Sequence, residues 1–230
     1  TPPTAMEGTK AIFRFQLKPR ERRVVKYSIE PILPTTRPSE ATDFNKAIGD
    51  VRKSYESWFK GSSQIETDNE LFTAVLRSSQ RDIRMLETET GMGYFLIAGV
   101  PWFVTPFGRD TIITCLQIMM LDAHPATATA NVFTQLQGKV VDPWRDEEPG
   151  KIFHEVRRGE LANIRAIPHT PYFGSADSTP LYLIMLSDII KWTGNLELAR
   201  GMVEPINRSL DWIDEYGDLD GDGFVEYETK

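Results

Sequence analysis

The sequence predicts a mainly α-helical protein whose helix hairpins curl into part of an α/α toroid, behind the last strands of an N-terminal sheet domain. Three observations predict this fold. Apolar residues alternate with a period of two in the first 30 residues, a proline-rich stretch follows, and beyond it the apolar period becomes helical. About seven helices follow, roughly half of a twelve-helix barrel, so we expect a partial toroid.

The N-terminal segment, residues 1–30, is predicted to be the C-terminal hairpin of an upstream sheet domain. Its apolar residues alternate over 11–17 and again over 25–29, on either side of a charged turn at 19–22. Residues 31–40 contain three prolines and suit a linker. The chain begins without Met or a signal-like stretch, so we expect it to be a piece of a longer protein. The rest of that protein is then an expected partner of this piece.

The toroid domain is predicted over residues 41–230. Its first helix should begin after Thr42 or Asp43 and end before Gly61, and its second should begin with a T-x-x-E capping box from Thr67 to Glu70. The apolar run 94–98 predicts either a buried strand or a loop entering a pocket. Five further helices are expected over 111–123, 126–137, 178–192, 196–202 and 206–216.

Composition excludes several classes of function. The net charge of −7 leaves no basic stripe for a nucleic-acid partner, and no apolar run approaches the roughly 20 residues that cross a bilayer. The single cysteine, Cys115, lies among apolar residues and is predicted to be buried without chemistry. A cytoplasmic location is favoured.

The segment 99–110 (GVPWFVTPFGRD) combines aromatic and charged residues in a loop that prolines and glycines keep from being helical. Asp110 and Arg109 could simply cap the next helix and pair with a carboxylate. Alternatively, Trp102 could stack on the C–H face of a sugar while Arg109 and Asp110 hold its hydroxyls. The residues alone favour neither interpretation.

The segment 153–160 (FHEVRRGE) fails the zinc pattern H-E-x-x-H, because position 158 is Arg. Its carboxylates, Glu155 and Glu160, could form ordinary salt bridges with the two arginines or a rim that binds hydroxyl groups. In 168–180 (PHTPYFGSADSTP), Asp177 or Ser178 is expected to cap the next helix. For Asp177, a side chain that also points into a pocket is the alternative.

The segment 218–226 (DLDGDGFVE) has the D-x-D-x-D-G spacing of a calcium loop, with Asp218, Asp220, Asp222 and Glu226 as candidate ligands. An EF-hand would place its bidentate Glu at 229, where this chain has Thr229. An acidic Asp-Gly turn is therefore favoured, with calcium as the alternative. We expect no other cofactor, because nucleotide-binding signatures are absent.

Together, these four segments resemble the bacterial amylo-α-1,6-glucosidase (glycogen-debranching-like) family, from about residue 10 to the end of the chain. The resemblance implies an (α/α)6 toroid behind an N-terminal β-sandwich, as in glucoamylase-like glycosidases, and hydrolysis of α-glucosidic bonds with inversion in an α-glucan or oligosaccharide. It also implies that Arg109 and Asp110 clamp a terminal glucosyl unit and that Trp102 is a pocket wall. His154, Glu155, Glu160 and Asp177 match further positions expected near the pocket.

The catalytic acid and base are expected beyond Lys230. Family members continue into a Gln-Gly-Trp-x-Asp segment with the proton donor, and the base follows later. We therefore expect the longer protein to be the enzyme and this piece to bind sugar weakly without catalysis. Two alternatives stay open: a non-catalytic helical module that binds glycan or calcium, and another toroid glycosidase such as a trehalase or an oligosaccharide-trimming glucosidase.

Overall fold

The computed structural model describes residues 2–27, 29 and 43–226. The chain divides into two compact units, Thr1–Ser57 and Trp58–Lys230. The described residues form eight α-helices and two small antiparallel sheets, so the prediction of a mainly helical protein is confirmed. The predicted linker 31–40 and the candidate cap Thr42 lie outside the described residues. No described helix combines the length and the apolar content needed to cross a membrane.

The first unit contains one short hairpin of strands β1 (Ala5–Glu7) and β2 (Lys10–Ile12). Of the predicted strand over 11–17 only residues 11 and 12 lie in β2, and the described residues of 25–29 form no strand. The charged turn does form, since the Glu21 N–H donates to the Lys18 carbonyl at 3.0 Å. Phe15 and Tyr27, on either side of that turn, are exposed. A two-stranded hairpin is stable when a further strand or layer covers it, and alternation alone does not supply that cover.

Helix α1 (Phe44–Gly61) spans the predicted residues. Asp43 caps it, because its carboxylate accepts from the Lys46 N–H at 2.8 Å. Helix α2 (Glu70–Leu86) begins at Asn69, whose side chain accepts from the Phe72 N–H at 3.0 Å. The predicted capping box at Thr67 was therefore wrong. Because Asn69 is the cap, Glu70 occupies the first helical position, whereas a capping box needs its Glu at the third.

A hairpin follows α2 directly. Strand β3 (Glu87–Thr90) pairs antiparallel with β4 (Gly93–Leu96), with Glu87 opposite Leu96. Phe95, Leu96 and Ile97 are buried, so of the two structures predicted for 94–98 the buried strand is correct. Strand β3 itself was not predicted, since its sequence ETET carries no apolar residue.

The remaining helices follow the predicted order with small shifts at their ends. They are α3 (Gly108–Ile118), α4 (His124–Leu136), α5 (Glu160–Asn163), α6 (Ser178–Thr193), α7 (Leu196–Gly201) and α8 (Val203–Trp212), and a single π-helical turn (Ile213–Gly217) continues α8. The four-residue helix α5 was not predicted. Helices α3, α4 and α6 enclose the core, where Cys115 is fully buried as predicted and burial raises the pKa of its thiol to about 12.

A second buried layer is polar and joins α4 and α8 to the loop between α4 and α5. The Gln137 amide donates to the carbonyls of Gly150 and Pro205 at 2.9 and 3.0 Å. Glu148 accepts from the Lys151 ammonium at 3.0 Å and from the Trp212 indole at 2.9 Å. Because buried polar groups are stable when each is paired, this network fixes the loop that leads into residues 152–156.

Candidate functional site

Helices α3 and α6 begin side by side, and glycine makes this approach possible. A Cβ on Gly108 would lie 2.1 Å from the Phe153 carbonyl oxygen and 2.6 Å from the Ser178 hydroxyl. The Gly108 N–H donates to the His154 carbonyl at 2.8 Å. The start of α3 is therefore held against both the loop at 153–156 and the start of α6.

Short β-bridges align the segments that precede these helices. Glu155 pairs antiparallel with Phe107 on one side and with Tyr172 on the other. The His154 N–H donates to the Tyr172 carbonyl at 2.7 Å, and the Tyr172 N–H donates to the Glu155 carbonyl at 2.9 Å. Three of the four segments singled out from the sequence thus lie together in space.

At this junction Arg109 forms an ion pair with Asp177, with 3.2 Å between Nη1 and Oδ2. The other carboxylate oxygen of Asp177 accepts from the Ser175 hydroxyl at 2.6 Å. Burial of the carboxyl raises the pKa of Asp177, but the hydrogen bonds from Ser175 and Arg109 outweigh it and hold that pKa below its ordinary value. The carboxylate is therefore fixed, ionised and oriented toward the guanidinium.

The expectation that Asp177 caps α6 is confirmed for its position and not for its side chain. Asp177 occupies the N-cap position, but its side chain makes no capping hydrogen bond. The Ser178 N–H is instead bound by the Ser175 hydroxyl at 3.3 Å. Because Ser175 takes over this part of the cap, the Asp177 carboxylate is available to Arg109.

Arg109 and Asp110 line one cavity of about 340 Å³, and both side chains are exposed. Polar side chains of Thr114 and Gln117 continue along the same face of α3, at the i+4 and i+7 positions from Asp110. Leu96, Ala98 and Ile113 are among the residues that form its apolar wall. The cavity therefore joins a charged rim to an aliphatic wall, and its volume is that of a small-molecule site.

Comparison with known proteins adds no assignment to this geometry. No model of a known protein family matches the chain, and no curated protein matches it.

Trp102 and Glu160 lie in a different cavity, of about 770 Å³. Phe95 lines this second cavity, whereas its neighbour Leu96 lines the cavity of Arg109 and Asp110. Adjacent residues of a strand point to opposite faces, so β4 separates the two spaces. The single pocket expected from the sequence is thus divided between two.

Glu155 has protein partners on both of its carboxylate oxygens. Oε2 accepts from the Arg157 Nε at 2.8 Å, and Oε1 lies 3.3 Å from the Nε2 of His169. Arg157 also lies over the Phe107 ring, 5.3 Å from its centroid, and donates to the Trp102 carbonyl at 2.9 Å. Of the two predicted roles for Glu155, these contacts favour the ordinary salt bridge, which ties three loops together.

His154 contributes mainly through its backbone. Its half-buried ring lies edge-on to the rings of Phe107 and Tyr172, with centroids 6.0 and 6.3 Å away. These contacts lie beneath the junction of α3 and α6 and support its shape. His154 and Glu155 therefore position Phe107 and Tyr172, in the segments that precede Arg109 and Asp177.

The acidic segment near the C-terminus folds as a tight turn. Carboxylate oxygens of Asp218, Asp220 and Asp222 all lie within 4.8 Å of one another. Those of Asp218 accept from the N–H groups of Gly221 and Gly223 at 2.9 and 3.0 Å, and both glycines have positive φ. Partial burial and then the three aspartates raise the pKa of Glu226. The oxygen set has the chemistry of a calcium site, and the same contacts define an Asp-Gly turn.

Sequence analysis missed Ser175, Thr114 and Gln117. A serine two residues before an Asp at a helix start can donate its hydroxyl hydrogen to that carboxylate, and this spacing could have indicated Ser175. Thr114 and Gln117 follow Asp110 at helical spacing, a pattern that could have indicated one polar face.

Proposed function

We propose that this chain supplies the glucosyl-binding part of a glycoside hydrolase that cleaves α-glucosidic bonds with inversion, similar to amylo-α-1,6-glucosidases, in the metabolism of glycogen or a related α-glucan. In this proposal the helix pairs form part of an (α/α)6 toroid, preceded by strands of a β-sandwich. The observation that carries the proposal is the Arg109–Asp177 ion pair beside Asp110, where Arg109 and Asp110 line a cavity at the start of α3.

The arrangement suits a hexose because it combines fixed charges with an apolar wall. A guanidinium can donate to two adjacent hydroxyl oxygens at once, while the Asp110 carboxylate can accept from a neighbouring hydroxyl. Asp177 and Ser175 hold Arg109 in place before any sugar arrives, which lowers the entropy cost of binding. The exposed aliphatic side chains of Ala98 and Ile113 offer a surface for the C–H face of the ring.

Each of these residues is assigned to binding. An inverting hydrolysis needs a carboxylic acid that donates a proton and a carboxylate base about 6.5–9.5 Å away. A proton donor needs a raised pKa, whereas the pKa of Asp177 is lowered and its carboxylate is paired with a cation. Arg109, Asp110 and Asp177 would therefore orient the terminal glucosyl unit for groups that act on its glycosidic bond.

Binding is tested by calorimetric titration of the protein with glucose and with acarbose. Arg109→Ala and Asp110→Ala are each expected to weaken binding at least tenfold, because each removes a charged hydrogen bond worth about 1.5–3 kcal/mol. Arg200→Ala is the matched control, since Arg200 is exposed on α7, pairs with Glu197 and lies outside the cavity. Unchanged affinity in both cavity variants would reject the proposal.

The reaction is tested on the protein at its natural full length. Glucose release from isomaltose-type substrates in preference to maltose-type substrates would support the 1,6 linkage. Inversion predicts that proton NMR detects the β-anomer of glucose first. Sugar binding without hydrolysis would indicate a glycan-binding module, and hydrolysis of trehalose alone would indicate a trehalase.

A further inference from the structure

The larger cavity, of about 770 Å³, contains Trp102 at its edge, where 78% of the residue surface is exposed. Arg158 and Glu160 are exposed in the same cavity. Buried Phe95 and half-buried Met92 give it an apolar floor. A ligand that carries both C–H and hydroxyl groups would suit this cavity, because the exposed aromatic face can pack on C–H groups and the two opposite charges can form hydrogen bonds with hydroxyl groups.

The loop that presents Trp102 is held at both ends although the indole itself is exposed. Gly99 and Phe103 exchange backbone hydrogen bonds of 3.3 and 2.9 Å across it. The Trp102 carbonyl accepts from the Arg157 guanidinium at 2.9 Å, and Glu155 fixes that guanidinium in turn. An exposed aromatic ring on a fixed backbone loses little entropy when a ligand stacks on it.

This cavity is separate from the one that contains Arg109. Phe95 and Leu96 are neighbours on β4 and line different cavities, so the strand and the loop that follows it lie between them. A sugar held by Arg109 and Asp110 would therefore not stack on Trp102. The exposed indole is left for a second ligand.

We propose that the Trp102 cavity is a second glucan-binding site, in which one glucosyl unit stacks on the indole and donates and accepts hydrogen bonds with Glu160 and Arg158. The choice of a glucan as the ligand rests on the proposed function, whereas the site itself rests on the cavity and its fixed aromatic rim. Two separate sites on one chain would let the protein hold two segments of a branched glucan, or two chains, at once.

The test is a titration with maltotetraose followed by the indole Nε1–H signals in a nitrogen–proton NMR spectrum. The Trp102 signal is assigned by its loss in Trp102→Phe. It is expected to shift saturably in the wild-type protein and equally in Arg109→Ala, because Arg109 does not line this cavity. Trp102→Ala is expected to weaken maltotetraose binding at this site about tenfold, read from the backbone N–H signals of Arg158 and Gly159.

Trp192→Phe is the control, because Trp192 is also exposed but lies on α6 outside the cavity; it should leave the affinity unchanged. No shift of the Trp102 signal, or a shift that disappears in Arg109→Ala, would overturn the second site. The first result would show that the cavity does not bind glucan, and the second that the two cavities act as one. A glucose affinity that neither Arg109→Ala nor Asp110→Ala changes, together with a persistent Trp102 response, would instead count against the proposed function alone.

Discussion

Replacing Gly108 by Ala should separate the two helix starts on which the site depends. The new Cβ would lie 2.1 Å from the Phe153 carbonyl oxygen and 2.6 Å from the Ser178 hydroxyl. Ordinary carbon contacts lie near 3.5 Å, so α3 must shift by about 1 Å or more. Overpacking of this kind costs about 1–3 kcal/mol, and the shift also stretches the Gly108 hydrogen bond to His154, which contributes about 1 kcal/mol.

The higher helix propensity of alanine raises the free energy of unfolding by at most about 1 kcal/mol and so offsets part of this cost. The net loss in the free energy of unfolding is therefore about 2 kcal/mol. Sugar affinity should also fall, because Arg109 moves away from Asp177. Urea denaturation measures the first quantity, and calorimetric titration with glucose measures the second.

The control is Gly201→Ala, the same substitution at the end of α7, where the added Cβ would meet nothing within 4 Å. It should change the free energy of unfolding by less than about 0.5 kcal/mol. Gly108→Ala with the stability and the glucose affinity of the wild type would refute the reasoning. It would show that the approach of α3 to α6 does not position Arg109.

Gln137→Leu should lower the free energy of unfolding by roughly 3 kcal/mol in urea denaturation, because it removes the buried hydrogen bonds that the Gln137 amide donates to the Gly150 and Pro205 carbonyls and to the Ser209 hydroxyl. Asp177→Asn should make the free energy of unfolding fall less steeply as the pH is lowered into the acid range. The pKa of Asp177 is lowered in the folded protein. Its carboxylate therefore contributes fully to the free energy of unfolding above the ordinary Asp pKa of about 3.9, and this contribution is lost as the pH falls through the pKa of the folded state. Urea denaturation at a series of pH values from neutral to acid checks this, and an unchanged slope in the variant would contradict it. Asp218→Ala should destabilise the protein by about 1 kcal/mol both with and without a chelator, because two backbone N–H groups lose their acceptor. A melting temperature that calcium raises in the wild type and not in this variant would instead assign a calcium site.

The fold was predictable where local sequence determines it. Helix α1 has a polar cap, one apolar stripe and a terminal glycine, and all of these act within the helix. Strand β3 was missed because Glu87–Thr90 forms through pairing with β4 and its own residues carry no strand pattern. The hairpin predicted around residues 19–22 failed for the opposite reason, since alternation was present without a layer to bury it.

The site was predictable in its residue types but not in its pairing. The aromatic loop ending in Arg109 and Asp110 was equally consistent with a helix start and with a sugar site, and both side chains line one cavity. The partner of Arg109 is Asp177, which is 68 residues away in the chain and was assigned to a helix cap. Spacing along the sequence also could not show that Trp102 and Arg109 would lie in cavities on opposite faces of β4. Such relations arise from tertiary packing.

The junction of α3 and α6 has a consequence for how the protein opens. Its two charged side chains belong to different helices, so any fluctuation that moves α6 away from α3 removes the ion pair and the binding geometry in one step. A sugar that binds the closed junction must oppose that fluctuation, by RT ln(1 + [L]/Kd). Amide protons at the first turns of both helices should therefore exchange more slowly together as sugar is added, although the sugar contacts only a few of those residues.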